Sequence, residues 1–184
     1  VLALGNLVGS ANDAYIFPGA HVAGTDTRSY DRELQAVVDW FDQAAPRQRV
    51  AADIWTGAPI VARAGTEASR VLTAAFPGPT ALWWVYLDAT IDPVILDYLR
   101  SHDYGYLVVD HRMATDSPFN GYWFTQEEPS AYSKDQTVPR RNLDKFARYP
   151  WATRVFSTGH YDVYRFDWTA VGAPRPLHHG LVQE

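Results

Sequence analysis

The sequence predicts an α/β fold: a small Rossmann-like layered domain with a largely parallel central sheet, helices on its faces and a C-terminal β-hairpin. Three observations carry this. Strand-like and helix-like segments alternate along the first two thirds of the chain, the rhythm of a parallel α/β unit. The run Tyr106-Leu107-Val108-Val109-Asp110 is continuously apolar up to its last residue, as expected of a strand covered on both faces. Residues 153–157 and 161–167 alternate around Thr158-Gly159-His160 and read as a hairpin.

The elements follow in order. Leu34, Val37, Val38, Phe41 and Ala45 recur at helical spacing over 31–45, with Asp31 and Glu33 at the start and Pro46 just past the end. Arg49 to Ile54 reads as a small buried strand with Asp53 near its C-terminal end, and Thr56 as the cap of a helix over 57–64 that stops at Gly65. The aromatic and β-branched run 81–87 reads as a strand, with one ring of Trp83-Trp84 on each sheet face. Asp92 caps a helix with Pro93 at its first position and Gly105 as its stop. Residues 114–138 form a long irregular stretch, 141–149 a short helix, and 172–184 a loose tail.

Composition narrows the class. With 184 residues and 47% hydrophobic content the chain suits one folded domain, long enough to bury roughly 70% of its unfolded surface. Cysteine is absent, which excludes disulfides, thiolate metal sites and cysteine nucleophiles. The net charge of -5 and the lack of a nucleic-acid motif argue against nucleic-acid binding. Residues 1–138 carry nine Lys or Arg against seventeen Asp or Glu, whereas 139–184 carry seven against four. Arg140, Arg141, Lys145, Arg148 and Arg154 supply most of that basic excess, which suits either a solvated surface or contact with anionic headgroups. No run reaches the 20 or so apolar residues that a membrane span needs. Val1 opens the chain and Met113 is its one methionine, so a processed form or a piece of something longer is expected.

No dinucleotide, P-loop, serine-hydrolase or zinc-protease motif occurs. The best polar candidates are Asp53 and Asp110, at the C-terminal ends of two expected parallel strands, where open α/β sheets place ligands. They could act as acid and base or hold an ion with His111; equally, each could cap the following loop or pair with Arg112. His21 and Asp26 could approach the same edge. The six histidines include no i,i+4 helical pair, and no metal site or cofactor is expected. Phe119, Tyr122, Trp123 and Phe124, beside Asn120, Gln126, Glu127 and Glu128, suit either a sugar-stacking platform or a loop stapled to the core by its rings.

The ordered series FPGAHVAGTDTRSYDRELQAVVDWF, RVAADIWTGAPIVARAG, YGYLVVDHRM, NGYWFTQEEP, LDKFARYP and TRVFSTGHYDVYRF resembles the extracytoplasmic C-terminal domain of polytopic actinobacterial membrane proteins of the GT-C glycosyltransferase type. The likeness spans about residues 15–167; 168–184 have no clear counterpart and 65–80 fit the pattern poorly. It implies three parts: 1–14 as a linker or the end of a membrane helix, 15–167 as one α/β domain, and 168–184 as a tail. It also implies tethering on the outer face of the membrane, with the membrane-embedded part of the same polypeptide as partner. The catalytic carboxylate of such families lies in that membrane part, so no catalytic residue carries over.

The expected function is a non-catalytic module that contributes to binding a glycan or polyprenyl-linked sugar through Asp53, Asp110, His111, Arg112, Tyr122 and Trp123. The alternatives are a free-standing α/β hydrolase or transferase using the strand-end carboxylates, and a structural assembly module.

Overall fold

A computed structural model of the chain describes residues 31–65, 81–117, 121–125, 127–129, 131 and 137–171. The apolar start, the loop of His21 and Asp26, Phe119, Asn120, Gln126 and the tail from 172 lie outside the described residues. The elements are α1 (Arg32–Ala44), β1 (Arg49–Ala51), α2 (Ile54–Ala64), α3 (Trp83–Leu87), α4 (Pro93–Ser101), β2 (Tyr104–Asp110), α5 (Arg140–Leu143), β3 (Ala152–Ser157) and β4 (Tyr161–Phe166). Two 3₁₀ turns, His111–Ala114 and Asp144–Arg148, follow β2 and α5.

Among the described residues four strands form one mixed sheet in the order β1-β2-β4-β3. β1 and β2 run parallel, while β2 with β4 and β3 with β4 are antiparallel. The largely parallel sheet expected from the sequence is thus corrected to one parallel pair. The reason is the hairpin: β4 pairs with β2 along Tyr106 to Asp110 and brings β3 in beside it.

Alternation along the strands sorts side chains into two cores, one per face. Val50, Val108, Tyr161 and Val163 face Leu34, Val37, Val38 and Phe41 of α1 and Ile60 of α2. Ala51, Leu107, Val109, Tyr164 and Phe166 face a second core with Val85 and Tyr86 of α3, Ile95 and Leu99 of α4, and Leu143 and Phe146. The central strand β2 is therefore covered on both faces, which its uninterrupted Leu-Val-Val requires.

Three local readings are corrected. Residues 83–87 form helix α3, not a strand; a short apolar run does not distinguish the two, and here tertiary contacts decide. The Asn142 amide donates to Leu87 O and the Lys145 ammonium to Asp88 O, giving the carbonyls at the end of α3 partners from α5 and the turn after it. β1 ends at Ala51 and α2 begins at Ile54, so Asp53 rather than Thr56 caps that helix, and Pro59 falls inside it. α4 ends at Ser101, with Asp103 adopting the left-handed conformation (φ 56°), and Gly105 lies within β2. There a Cβ would come within 3.1 Å of the Gln48 side chain, beside the register irregularity of β1.

Candidate functional site

Because β1 and β2 are parallel neighbours, Asp53 and Asp110 emerge at the same sheet edge. Both carboxylates first serve the backbone. Asp53 Oδ1 accepts from the amides of Trp55 (2.9 Å) and Thr56 (3.0 Å), and Asp110 Oδ1 accepts from the amide of Arg112 (2.9 Å).

Asp110 is then enclosed by Arg112. The guanidinium Nε donates to Oδ1 at 3.0 Å and to Oδ2 at 3.1 Å, and Nη2 donates to Oδ2 at 2.8 Å. Nη1 reaches across to Oδ2 of Asp31, the cap of α1, at 2.8 Å. Nη2 also donates to the Tyr161 hydroxyl, whose ring lies 4.9 Å from the guanidinium carbon. Burial alone would lower the Arg112 pKa, but the bonds to Asp110 and the charges around it outweigh burial and raise it. Arg112 is therefore a fixed cation that ties α1, β2 and β4 together at this edge.

Asp53 is different. It is 0% exposed, its Oδ2 has no hydrogen-bond partner, and the buried Thr56 hydroxyl beside it also has none. Burial first, and the Asp110 charge second, push its carboxyl up to about 7, against the opposing effect of the two capping amides. Tyr86, fully buried, donates its hydroxyl to Val108 O at 2.9 Å, and its pKa is raised by burial and then by the Asp53 charge.

His111 turns to the far side of the edge. Its Nε2 lies 2.8 Å from Asp162 Oδ2, while Nδ1, buried without a hydrogen bond, is 3.9 Å from Asp144 Oδ1. Asp162 also accepts from the Ser157 hydroxyl at 2.7 Å. Burial tends to raise the Asp162 pKa, but His111, Ser157 and Arg154 together bring it down to about 2. Among the described residues no group of three or more metal-ligating side chains converges.

The aromatic segment returns to the same edge. The Ile54 amide donates to Trp123 O (3.0 Å), and the Trp55 indole donates to Tyr122 O (3.3 Å), which places the Trp55 and Tyr122 rings 6.1 Å apart at an angle of 33°. Both rings are half-buried. Trp123 and Phe124 are buried, and the Tyr86 and Phe124 rings are 4.9 Å apart. Glu128, itself buried, holds the turn by accepting from the amides of Trp123, Phe124 and Thr125.

The structure thus brings Asp53, Asp110, Arg112, Tyr122 and Trp123 to one edge and sends His111 into a separate pair with Asp162. One feature escaped the sequence reading: Trp55 offers a half-buried ring where that of Trp123 is buried, because Asp53, of a residue type preferred at an N-cap, starts the helix and places Trp55 in its first turn. Compared with known proteins, the chain matches no family model and no curated protein.

Proposed function

We propose that the chain is a non-catalytic extracytoplasmic module of a membrane-embedded, glycosyltransferase-like protein, and that its sheet edge contributes to binding a glycan or lipid-linked sugar. The observation that carries this reading is the closure of Asp110 by Arg112 beside an Asp53 with no exposed surface. A general acid or base must reach its substrate proton, and neither carboxylate is placed to do so. What the edge offers a ligand instead is the half-buried pair Trp55 and Tyr122, whose ring faces suit the apolar face of a pyranose. Among the described residues no helix is long and apolar enough to cross a membrane, so tethering is drawn from the sequence resemblance alone. The finer fold reading, a Rossmann-like layered domain, belongs to the same proposal and is supported by the parallel β1 and β2 with helices on both faces.

Titration of the isotope-labelled chain with polyprenyl-phosphate sugars and cell-wall glycans tests the binding. Shifts at Trp55, Tyr122 and the amides after Asp110 are expected, and none with any of these ligands would leave a purely structural domain. The reading frame upstream of Val1 tests the tethering, since a series of hydrophobic helices is expected there. A second reading, a hydrolase or transferase using Asp53 and Asp110, draws on the raised pKa of Asp53. It requires an activity that Asp53→Asn or Asp110→Asn abolishes.

A further inference from the structure

Four arginines stand exposed on α5, the 3₁₀ turn after it and β3: Arg140, Arg141, Arg148 and Arg154. A chain of contacts connects them. Arg140 Nε lies 3.4 Å from Asp144, Asp144 lies 3.9 Å from His111 Nδ1, His111 Nε2 meets Asp162, and Asp162 lies 3.4 Å from Arg154 Nη1. Arg148 Nη2 reaches back to Arg141 O at 3.5 Å, and β3, which carries Arg154, packs on the Asp144–Arg148 turn.

The surface of this face is cationic. Among the described residues its two carboxylates are Asp144, which is half-exposed and paired with Arg140, and Asp162, which is 6% exposed and shared between His111, Ser157 and Arg154. Lys145, the other basic residue between Arg140 and Arg154, points inward. It is 2% exposed and donates to Asp88 O, with its pKa lowered by burial to about 8. Among the described residues of this face four exposed arginines thus stand against one exposed carboxylate, with Arg141 and Arg148 outside its ion pairs, on a chain that is otherwise acidic.

We infer that this face docks on an anionic bilayer surface, its arginines meeting lipid phosphates. The inference goes beyond glycan binding and rests on the proposed tethering only for the location of the bilayer. Overall repulsion between an acidic domain and an anionic membrane leaves one orientation favourable, with Arg141 and Arg148 toward the headgroups. Each basic residue held near such a surface contributes about fivefold in affinity.

Co-sedimentation of the 184-residue chain with phosphatidylglycerol-containing vesicles, against pure phosphatidylcholine vesicles, tests this. Binding to the anionic vesicles alone, weakening with salt, is expected. The variant Arg141→Gln/Arg148→Gln is expected to lose about 25-fold in affinity. A control of equal charge, Arg63→Gln/Arg100→Gln, alters exposed arginines on α2 and α4 and is expected to stay within about twofold of the parent if the face is specific. Absence of any preference for anionic vesicles overturns the inference, as does equal loss in both variants, with circular dichroism establishing that both are folded. Either failure leaves the glycan titration unaffected, because that experiment contains no bilayer.

Discussion

Arg112 holds Asp110 from two residues away, with Nε shared between both carboxylate oxygens at 3.0 and 3.1 Å and Nη2 on Oδ2 at 2.8 Å. Such a fork can only be made by a planar guanidinium, and here it is half of a larger tie, because Nη1 holds the Asp31 cap of α1. Replacing Arg112 by Met leaves the buried Asp110 carboxylate uncompensated and is expected to cost about 3–5 kcal/mol. Arg112→Lys keeps the charge but loses the fork, and is expected to recover less than half of that. Urea denaturation of both variants measures the difference, and full recovery by lysine would show that charge alone suffices.

Asp53 gives a pH dependence of unusual sign for a carboxyl. Its folded-state pKa lies near 7, above its ordinary 3.8, so from pH 4 to 7 the folded chain holds a proton that the unfolded chain has released. Its contribution is therefore fully favourable below pH 4 and is lost as pH rises towards 7, by about 4 kcal/mol over that span. Asp53→Asn keeps a capping oxygen for the amides of Trp55 and Thr56 and removes the charge. The variant is expected to match the parent at pH 4 and exceed it in stability at pH 8. Identical pH profiles for the two would contradict the buried, raised carboxyl.

Gly159 and Glu33 are coupled across the hairpin. A Cβ on Gly159 would come within 2.7 Å of Glu33 Oε1, yet Glu33 Oε2 accepts from the Thr158 hydroxyl (2.9 Å) and the His160 amide (2.6 Å). Gly159→Ala is expected to push that carboxylate away and cost about 1 kcal/mol, and close to nothing in a Glu33→Ala background. A double-mutant cycle reads the coupling directly, and additive costs would show that the carboxylate moves aside freely.

Glu128 plays the same part for the aromatic turn. Removing its carboxylate leaves the amides of Trp123, Phe124 and Thr125 without their acceptor. Glu128→Ala is therefore expected to lower hydrogen-exchange protection at these three amides by tenfold or more while leaving β2 protected, a loss of about 1–3 kcal/mol in local stability. Unchanged protection at Trp123 would assign the turn to ring packing instead.

Much of this architecture is legible from residue patterns. The helix opening at Asp31 and Glu33, Asp92 as a helix cap, β2 as a strand with two covered faces, and a hairpin over 153–157 and 161–167 are all read correctly, because each carries a local signal of composition or period. Sheet direction is not local. Nothing in Val163 or Tyr164 announces that β4 pairs antiparallel with β2. The run Ala81 to Leu87 is apolar enough for either strand or helix, and the side chains that give α3 its C-terminal partners come from Asn142 and Lys145, more than 50 residues later. At the candidate site, strand-end position finds Asp53 and Asp110, but burial and the Arg112 fork separate a buried cap from an available base, and these depend on packing. Tyr122 and Trp123 look alike in sequence, and the structure leaves one ring half-exposed and buries the other.

If this sheet edge binds sugar without performing chemistry on it, as proposed, the indole N–H resonance of Trp55, hydrogen-bonded to Tyr122 O, reports the binding. Titration with a polyprenyl-phosphate-linked sugar is predicted to shift that resonance saturably, to do so equally in the Asp53→Asn variant, and to return the ligand unaltered. A resonance that does not move at saturating ligand, or ligand turnover that Asp53→Asn abolishes, would overturn non-catalytic sugar binding at this edge.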